Sequence, residues 1–268
     1  MCGEIWILQP WGGGALRVKG GMAALVRGLE EQVPTSRTKL SHKVTSLTAH
    51  QDQIEIKGTN DAGAFAWRAE RVILALPPRL TAQIVFAPAL PQSLSTRLAA
   101  TPTWMAGQAK MLAVYERPFW RNHGLSGDAS SHLGPLVEIH DASPPEAHLG
   151  ALFGFIGTMG QALGDGDLRV QAIHQLTRLF GPEASTPKHL FTKDWSHDPE
   201  TAVAADRQGI YAHPAYRPID PLGGDWAGRI VFAGSEAAPE EGGFLEGALA
   251  SAEAAVAHLT QMELRHEH

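Results

Sequence analysis

The chain has 268 residues, 44% of them hydrophobic and 19% charged, with 22 Lys plus Arg against 28 Asp plus Glu for a net charge of -6. That length makes one large domain or two small ones, with enough apolar residues to bury a core. The mild acidity argues against a nucleic-acid binder or an anionic-lipid binder. The single cysteine rules out an intrachain disulfide or cysteine-based zinc site, and no apolar run reaches the ~18–20 residues of a membrane span.

The stretch from Met1 to Lys19 is aperiodic and contains Gly12-Gly13-Gly14, so a loop is expected there. No basic-then-apolar leader follows Met1, and a cytoplasmic protein is expected. Met22, Leu25, Val26, Leu29 and Val33 then fall on one face of a helix that Pro34 stops. Short strands are predicted over Lys43–Leu47, Gln53–Lys57 and Ala64–Arg68, the last two flanking a Gly/Asn/Asp turn. Arg71–Leu76 is a continuous apolar run, the pattern of a strand buried on both faces.

The middle has a different texture. A helix is predicted over Ser93–Ala100, and strands over Gln108–Tyr115, Leu136–His140 and Leu149–Ile156. A longer helix is predicted over Asp167–Phe180, where Leu168, Ala172, Ile173, Leu176 and Leu179 share a face, and a further strand over His189–Trp195. The end returns to the first texture, with an apolar strand over Arg229–Ala233 and a helix from about Phe244 to Met262. The predicted fold class is α/β with mixed α+β character. Residues 1–78 and 226–268 form one discontinuous unit, and 79–225 form an inserted unit built on a mixed sheet.

The most informative segment is Arg229 to Ala255, a buried strand, a glycine turn and a Gly-Gly entry into a helix. Backbone N–H groups at a helix start lack partners and carry the positive end of the dipole, and glycines allow close approach. Such a turn suits a phosphate or an electron-rich ring edge. It equally suits ordinary strand-to-helix packing.

Within it, Ala233-Gly234-Ser235-Glu236 and Gly243-Phe244-Leu245-Glu246-Gly247-Ala248 resemble the C-terminal motif of the flavin-containing amine oxidases, the family of monoamine and polyamine oxidases. Other features recur in the family's order. They are Val18-Lys19-Gly20-Gly21-Met22 before a helix, Val44 within His42–Leu47, Arg71–Pro78, Lys110–Trp120, Gly124-Leu125-Ser126-Gly127, and Asp194-Trp195 followed by Gly209-Ile210-Tyr211. The resemblance spans about Arg17 to Ala257.

It implies a Rossmann-like FAD-binding domain with an inserted substrate domain, and oxidation of an amine C–H by hydride transfer to flavin N5 with oxygen as acceptor. Gly234, Ser235 and Glu236 match the turn at the flavin ribityl and phosphate region. Gly243, Phe244, Leu245 and Ala248 match the helix start at the ring, Val44 a contact to the adenine part, and Trp195 a Trp near the flavin. Lys110 matches the lysine that holds a water near N5. By residue pattern alone it could equally lie on the outward face of its strand. Tyr211 and Phe244 match the aromatic pair that flanks the amine.

Ile210 stands where monoamine oxidases carry the cysteine bound to the flavin, so non-covalent FAD is expected. No G-x-G-x-x-G unit precedes these motifs, so the expected FAD-binding domain is incomplete. Two alternatives follow: a non-catalytic or truncated chain needing a separate N-terminal FAD-binding chain, and an oxidase or desaturase of a non-amine substrate. The 13 histidines form no metal motif, and no metal site is predicted.

Overall fold

The computed structural model describes residues 5–8, 15–144, 148–208, 212–220 and 222–266. They fall into two compact units, 1–43 with 58–65, and 44–57 with 66–268.

In the first unit, β1 (Ile5–Leu8) and β2 (Ala15–Val18) pair antiparallel, with Ile5 opposite Val18 and Leu8 opposite Ala15. This corrects the expected loop over Met1–Lys19. Each run has only 4 residues, too short to show a period, and the ladder between them supplies what neither strand signals alone. Gly21 donates to the Val18 carbonyl at 2.8 Å and leads into α1 (Met22–Glu30). Met22, Leu25, Val26 and Leu29 lie on the predicted helix, but it ends at Glu30, before Val33, and Met22 is 47%, Val26 60% and Leu29 51% exposed.

The chain passes between the units along β3 (Lys43–Ala49), β4 (Ile54–Asn60) and β5 (Gly63–Ala69). The second unit continues with β6 (Val72–Leu74), α2 (Pro78–Thr81), β7 (Val85–Ala87) and α3 (Gln92–Ala100). Next come β8 (Ala109–Tyr115), α4 (Phe119–Asn122), β9 (Ala129–Ser130), β10 (Leu136–Asp141) and β11 (Gly150–Ile156). After α5 (Thr158–Gln161), α6 (Asp165–Phe180) and β12 (His189–Asp194), the chain ends with β13 (Ile230–Phe232) and α7 (Leu245–His266).

The strand order is β12-β8-β11-β10-β9 in a five-stranded sheet, β5-β4-β3-β7 in a four-stranded one, and β13-β6 in a parallel pair. The five-stranded sheet is antiparallel at every pairing. Mixed pairing belongs to the four-stranded sheet, where β7 runs parallel to β3 while β3 and β4 are joined by a turn too short for a parallel crossover.

Alternation along β8 decides how the large sheet packs. Ala109, Met111, Ala113 and Tyr115 are buried on one face, and Leu168, Ala172, Leu176 and Phe180 of α6 join the same core. Burying each large apolar side chain there contributes roughly 1.5–3 kcal/mol. Trp120 is wholly buried in this core and donates its Nε1–H to Asp141 Oδ2 at 2.9 Å.

A second core gathers Leu47, Ile54 and Leu74 with Ile84, Leu90, Leu94 and Leu98, and with Leu222, Trp226 and Ile230 from near the end of the chain. Trp226 Nε1 donates to the Pro88 carbonyl at 2.9 Å, and Arg79 of α2 pairs with the buried Asp206.

Candidate active site

The open face of the five-stranded sheet carries the first part of the site. Cross-strand partners share a face, so the register lines up side chains in rows. One row runs Lys193, Lys110, Phe155, Glu138, and the next runs Phe191, Leu112, Phe153, His140. These positions lie opposite the core face that holds Met111. Lys110 is therefore outward with respect to that core, yet it is only half-buried, among rings. Its Nζ lies 5.4 Å from the Phe155 ring centre and 6.0 Å from that of Phe153. Both rings present their electron-rich faces to the ammonium.

Trp195 follows β12 and reaches the same end of the sheet. Its backbone N–H donates to the Gln108 carbonyl at 3.1 Å, two positions before Lys110. Lys193 Nζ sits 4.7 Å from the Trp195 ring centre and pairs with Asp198. Asp194 closes this turn by accepting from Ser196 N at 2.9 Å, Ser196 Oγ at 2.6 Å and His197 Nδ1 at 2.8 Å. Burial pushes the Asp194 carboxyl upward, but these hydrogen bonds outweigh it and hold the group below its ordinary value. At the far end of the second row, His140 lies between Asp128 Oδ1 at 3.1 Å and Glu138 Oε1 at 2.7 Å, so both ring nitrogens are engaged.

The second part is the turn between β13 and α7. Gly234 takes φ 99°, a left-handed conformation that glycine adopts without strain. Ser235 Oγ donates to Glu236 Oε2 at 2.9 Å, and Gly243 N donates to the Ser235 carbonyl at 3.3 Å. That bond draws Gly234, Ser235 and Glu236 together with Gly243, Phe244 and Leu245, with Ala248 one helical turn on from Phe244. Phe244 and Leu245 are 50% and 55% exposed. Val44 packs on the second core from β3. Tyr211, with Gly209 and Ile210, lies outside the described residues.

The structure adds residues that the motifs do not name. Phe244 stacks on His213 with ring centres 5.2 Å apart and 2° between the planes. His213 also meets Trp104 at 4.9 Å and, at right angles, Tyr216 at 5.6 Å. Tyr216 donates its hydroxyl to the Pro102 carbonyl at 2.8 Å. Burial, with the Glu236 carboxylate as a second cause, pushes its phenol up to about 12. Met105, immediately after Trp104, takes φ 63°, a conformation costly for a side-chain-bearing residue. The segment 104–110 thus leads from this aromatic cluster to Lys110. Three chain segments build the cluster, and the only local sign of it is the run of rings near Tyr211.

Among the described residues no group of three or more His, Cys, Asp or Glu side chains is placed to hold a metal ion, and no helix is long and apolar enough to cross a membrane.

The class follows from the family comparison. Residues 2–260 match the family model described as flavin containing amine oxidoreductase, and the chain belongs to that family. Among individual relatives, it is 29% identical to the flavin-containing amine oxidase of Danio rerio over 91% of this chain and 47% of the relative. It is 30% identical to an L-amino acid dehydrogenase of Synechocystis over 76% of this chain and 43% of the relative. A solved putrescine oxidase bound to putrescine shares the fold, with a TM-score of 0.71 and 23% identity over 92% of this chain and 54% of that one. The chain spans about half the length of the curated relatives it matches.

Proposed function

We propose that this chain forms the substrate side and flavin edge of a FAD-dependent amine oxidase-like oxidoreductase, with residues 1–78 and 226–268 serving FAD and 79–225 serving the substrate. The placement of Lys110 carries this reading: a lysine held among Phe155 and Phe153 on an open sheet face, with Trp195 tied to the same strand end. Family membership supports it.

The turn before α7 suits a flavin. A Cβ added at Gly234 would meet nothing nearer than Glu236 Oε2 at 3.7 Å and the Ala75 backbone at 3.9 Å, so a ligand can approach closely. The first turn of α7 offers N–H groups with no intrahelical acceptor, and its dipole favours negative charge. In this reading Gly234, Ser235, Glu236, Gly243, Phe244, Leu245 and Ala248 hold the cofactor, with Val44 and Trp195 as further contacts. Ile210 offers no thiol, so the cofactor is non-covalent.

FAD, when bound, supplies the acceptor for the hydride leaving the amine C–H, and oxygen is the expected final acceptor. Lys110 donates a hydrogen bond to a water and holds it beside the reacting atoms. Tyr211 and Phe244 orient the amine between rings, whose faces attract a cation and whose bulk excludes water. A second reading keeps the same site but sends the electrons to an acceptor other than oxygen. The name of the Synechocystis relative, a dehydrogenase, favours it.

The test is to add FAD to the purified chain, remove the excess and record the visible spectrum. A retained flavin band that an amine bleaches without oxygen, and that oxygen restores with release of hydrogen peroxide, supports the oxidase. Bleaching without peroxide favours the dehydrogenase. A retained band that no amine bleaches favours a non-amine substrate. Loss of all flavin favours a chain that needs a separate nucleotide-binding partner.

A further inference from the structure

We infer that His213 is a positioning residue that sets the plane of the Phe244 ring, the wall against which the amine lies. The inference rests on the reading of Phe244 as one wall of the amine site. Phe244 is 50% exposed, so packing from its surroundings does not fix it on every side. The ring recorded against it is His213, parallel to within 2° at 5.2 Å between centres. Trp104 at 4.9 Å and the perpendicular ring of Tyr216 at 5.6 Å pack against His213 in turn. Tyr216 is anchored by its hydroxyl on the Pro102 carbonyl. Burial therefore falls outward from Tyr216, which is buried, through the half-buried Trp104 to His213 and Phe244, which are both exposed.

The glycines of the motif fit this role. A Cβ on Gly243 would come within 3.0 Å of His213 Nε2 and of Tyr216 Cε2, and one on Gly242 within 2.8 Å of Tyr216 Cβ. The absence of side chains at Gly242 and Gly243 thus lets the rings close on the helix entry. A planar ring fixed by one parallel neighbour keeps its other face free for a planar or cationic group, whereas an unsupported phenylalanine samples other rotamers. Loss of His213 should therefore weaken amine binding more than it slows the chemistry.

The experiment has two independent arms. By NMR, the His213 Cε1–H resonance, assigned through its disappearance in His213→Asn, should lie upfield from ring stacking and move downfield in Phe244→Leu. In the FAD-loaded chain with benzylamine, His213→Ala should raise KM on the order of fivefold with kcat nearly unchanged. His213→Phe, which keeps a stackable ring, should restore KM. An active wild type whose KM is unmoved by His213→Ala, or is not restored by His213→Phe, overturns the inference alone. An unshifted His213 resonance overturns it as well. A wild type inert to every amine, with the resonance shifted as expected, overturns the functional reading and leaves the ring stack standing.

Discussion

Lys110 stands directly across the β8–β11 register from Phe155, and its Nζ lies 5.4 Å from the centre of that ring. The contact explains how a cation stays half-buried on an apolar strand without a carboxylate of its own among the neighbours described. Ring faces offset part of the lost hydration, roughly 0.5–2 kcal/mol per contact. Lys110→Met keeps the length of the stem and removes the charge. If Lys110 holds the reactive water, oxygen should reoxidise the reduced flavin of this variant at least about tenfold more slowly, while reduction by amine changes less. Stopped-flow absorbance separates the two half-reactions, and an unaltered reoxidation rate would remove Lys110 from the mechanism.

Gly243 has φ 80° and little room for a side chain, since a Cβ would meet His213 Nε2 and Tyr216 Cε2 at 3.0 Å and Trp104 Cβ at 3.2 Å. Gly243→Ala therefore combines backbone strain with overpacking. The expected cost is about 1–3 kcal/mol, with a fall in Tm of about 2–4 °C for each kcal/mol. Thermal unfolding followed by circular dichroism measures it.

Asp141 ends β10 beneath Trp120 and Arg121, accepting from Trp120 Nε1 at 2.9 Å, Arg121 Nε at 2.8 Å and Ser143 N at 2.8 Å. Burial acts to raise its carboxyl, but these bonds prevail and its folded value lies below the ordinary 3.8. A lowered folded value means that the stabilisation is present above the unfolded value and lost as pH falls through the folded one. Asp141→Asn should cost about 1–3 kcal/mol at neutral pH, because the charged partner of Arg121 and Trp120 is gone. It should also flatten the decline of Tm on the acid side. A variant whose acid limb matches the wild type would show that another carboxylate controls it.

Thr103, in the loop before Trp104, has a buried Oγ1 with no hydrogen-bond partner in the structure. An unsatisfied buried hydroxyl costs free energy, and valine has the same shape without it. Thr103→Val should raise stability by about 1 kcal/mol, read as a higher urea midpoint with an unchanged slope. A lower midpoint would mean that the hydroxyl has a partner, such as an ordered water.

The sequence by itself determined most of the local elements and the family. Apolar spacing at Leu168, Ala172 and Leu176 places α6 within two residues of its observed start, and alternation along β8 puts Lys110 and Met111 on opposite faces. The order of short motifs from Arg17 to Ala257 carries the resemblance, because glycines and rings at fixed offsets are legible in one dimension. The hairpin of β1 and β2 was not legible, since a four-residue run has no period and its partner is supplied only by pairing. Only the tertiary structure decided which face of β8 is covered, because α6 reaches it from a later part of the chain. It alone joined Trp104, His213, Tyr216 and Phe244, and gave Gly242 and Gly243 a second reason to lack side chains. Periodicity reports how a segment meets an interface, and it carries no information about which distant segment supplies the other side.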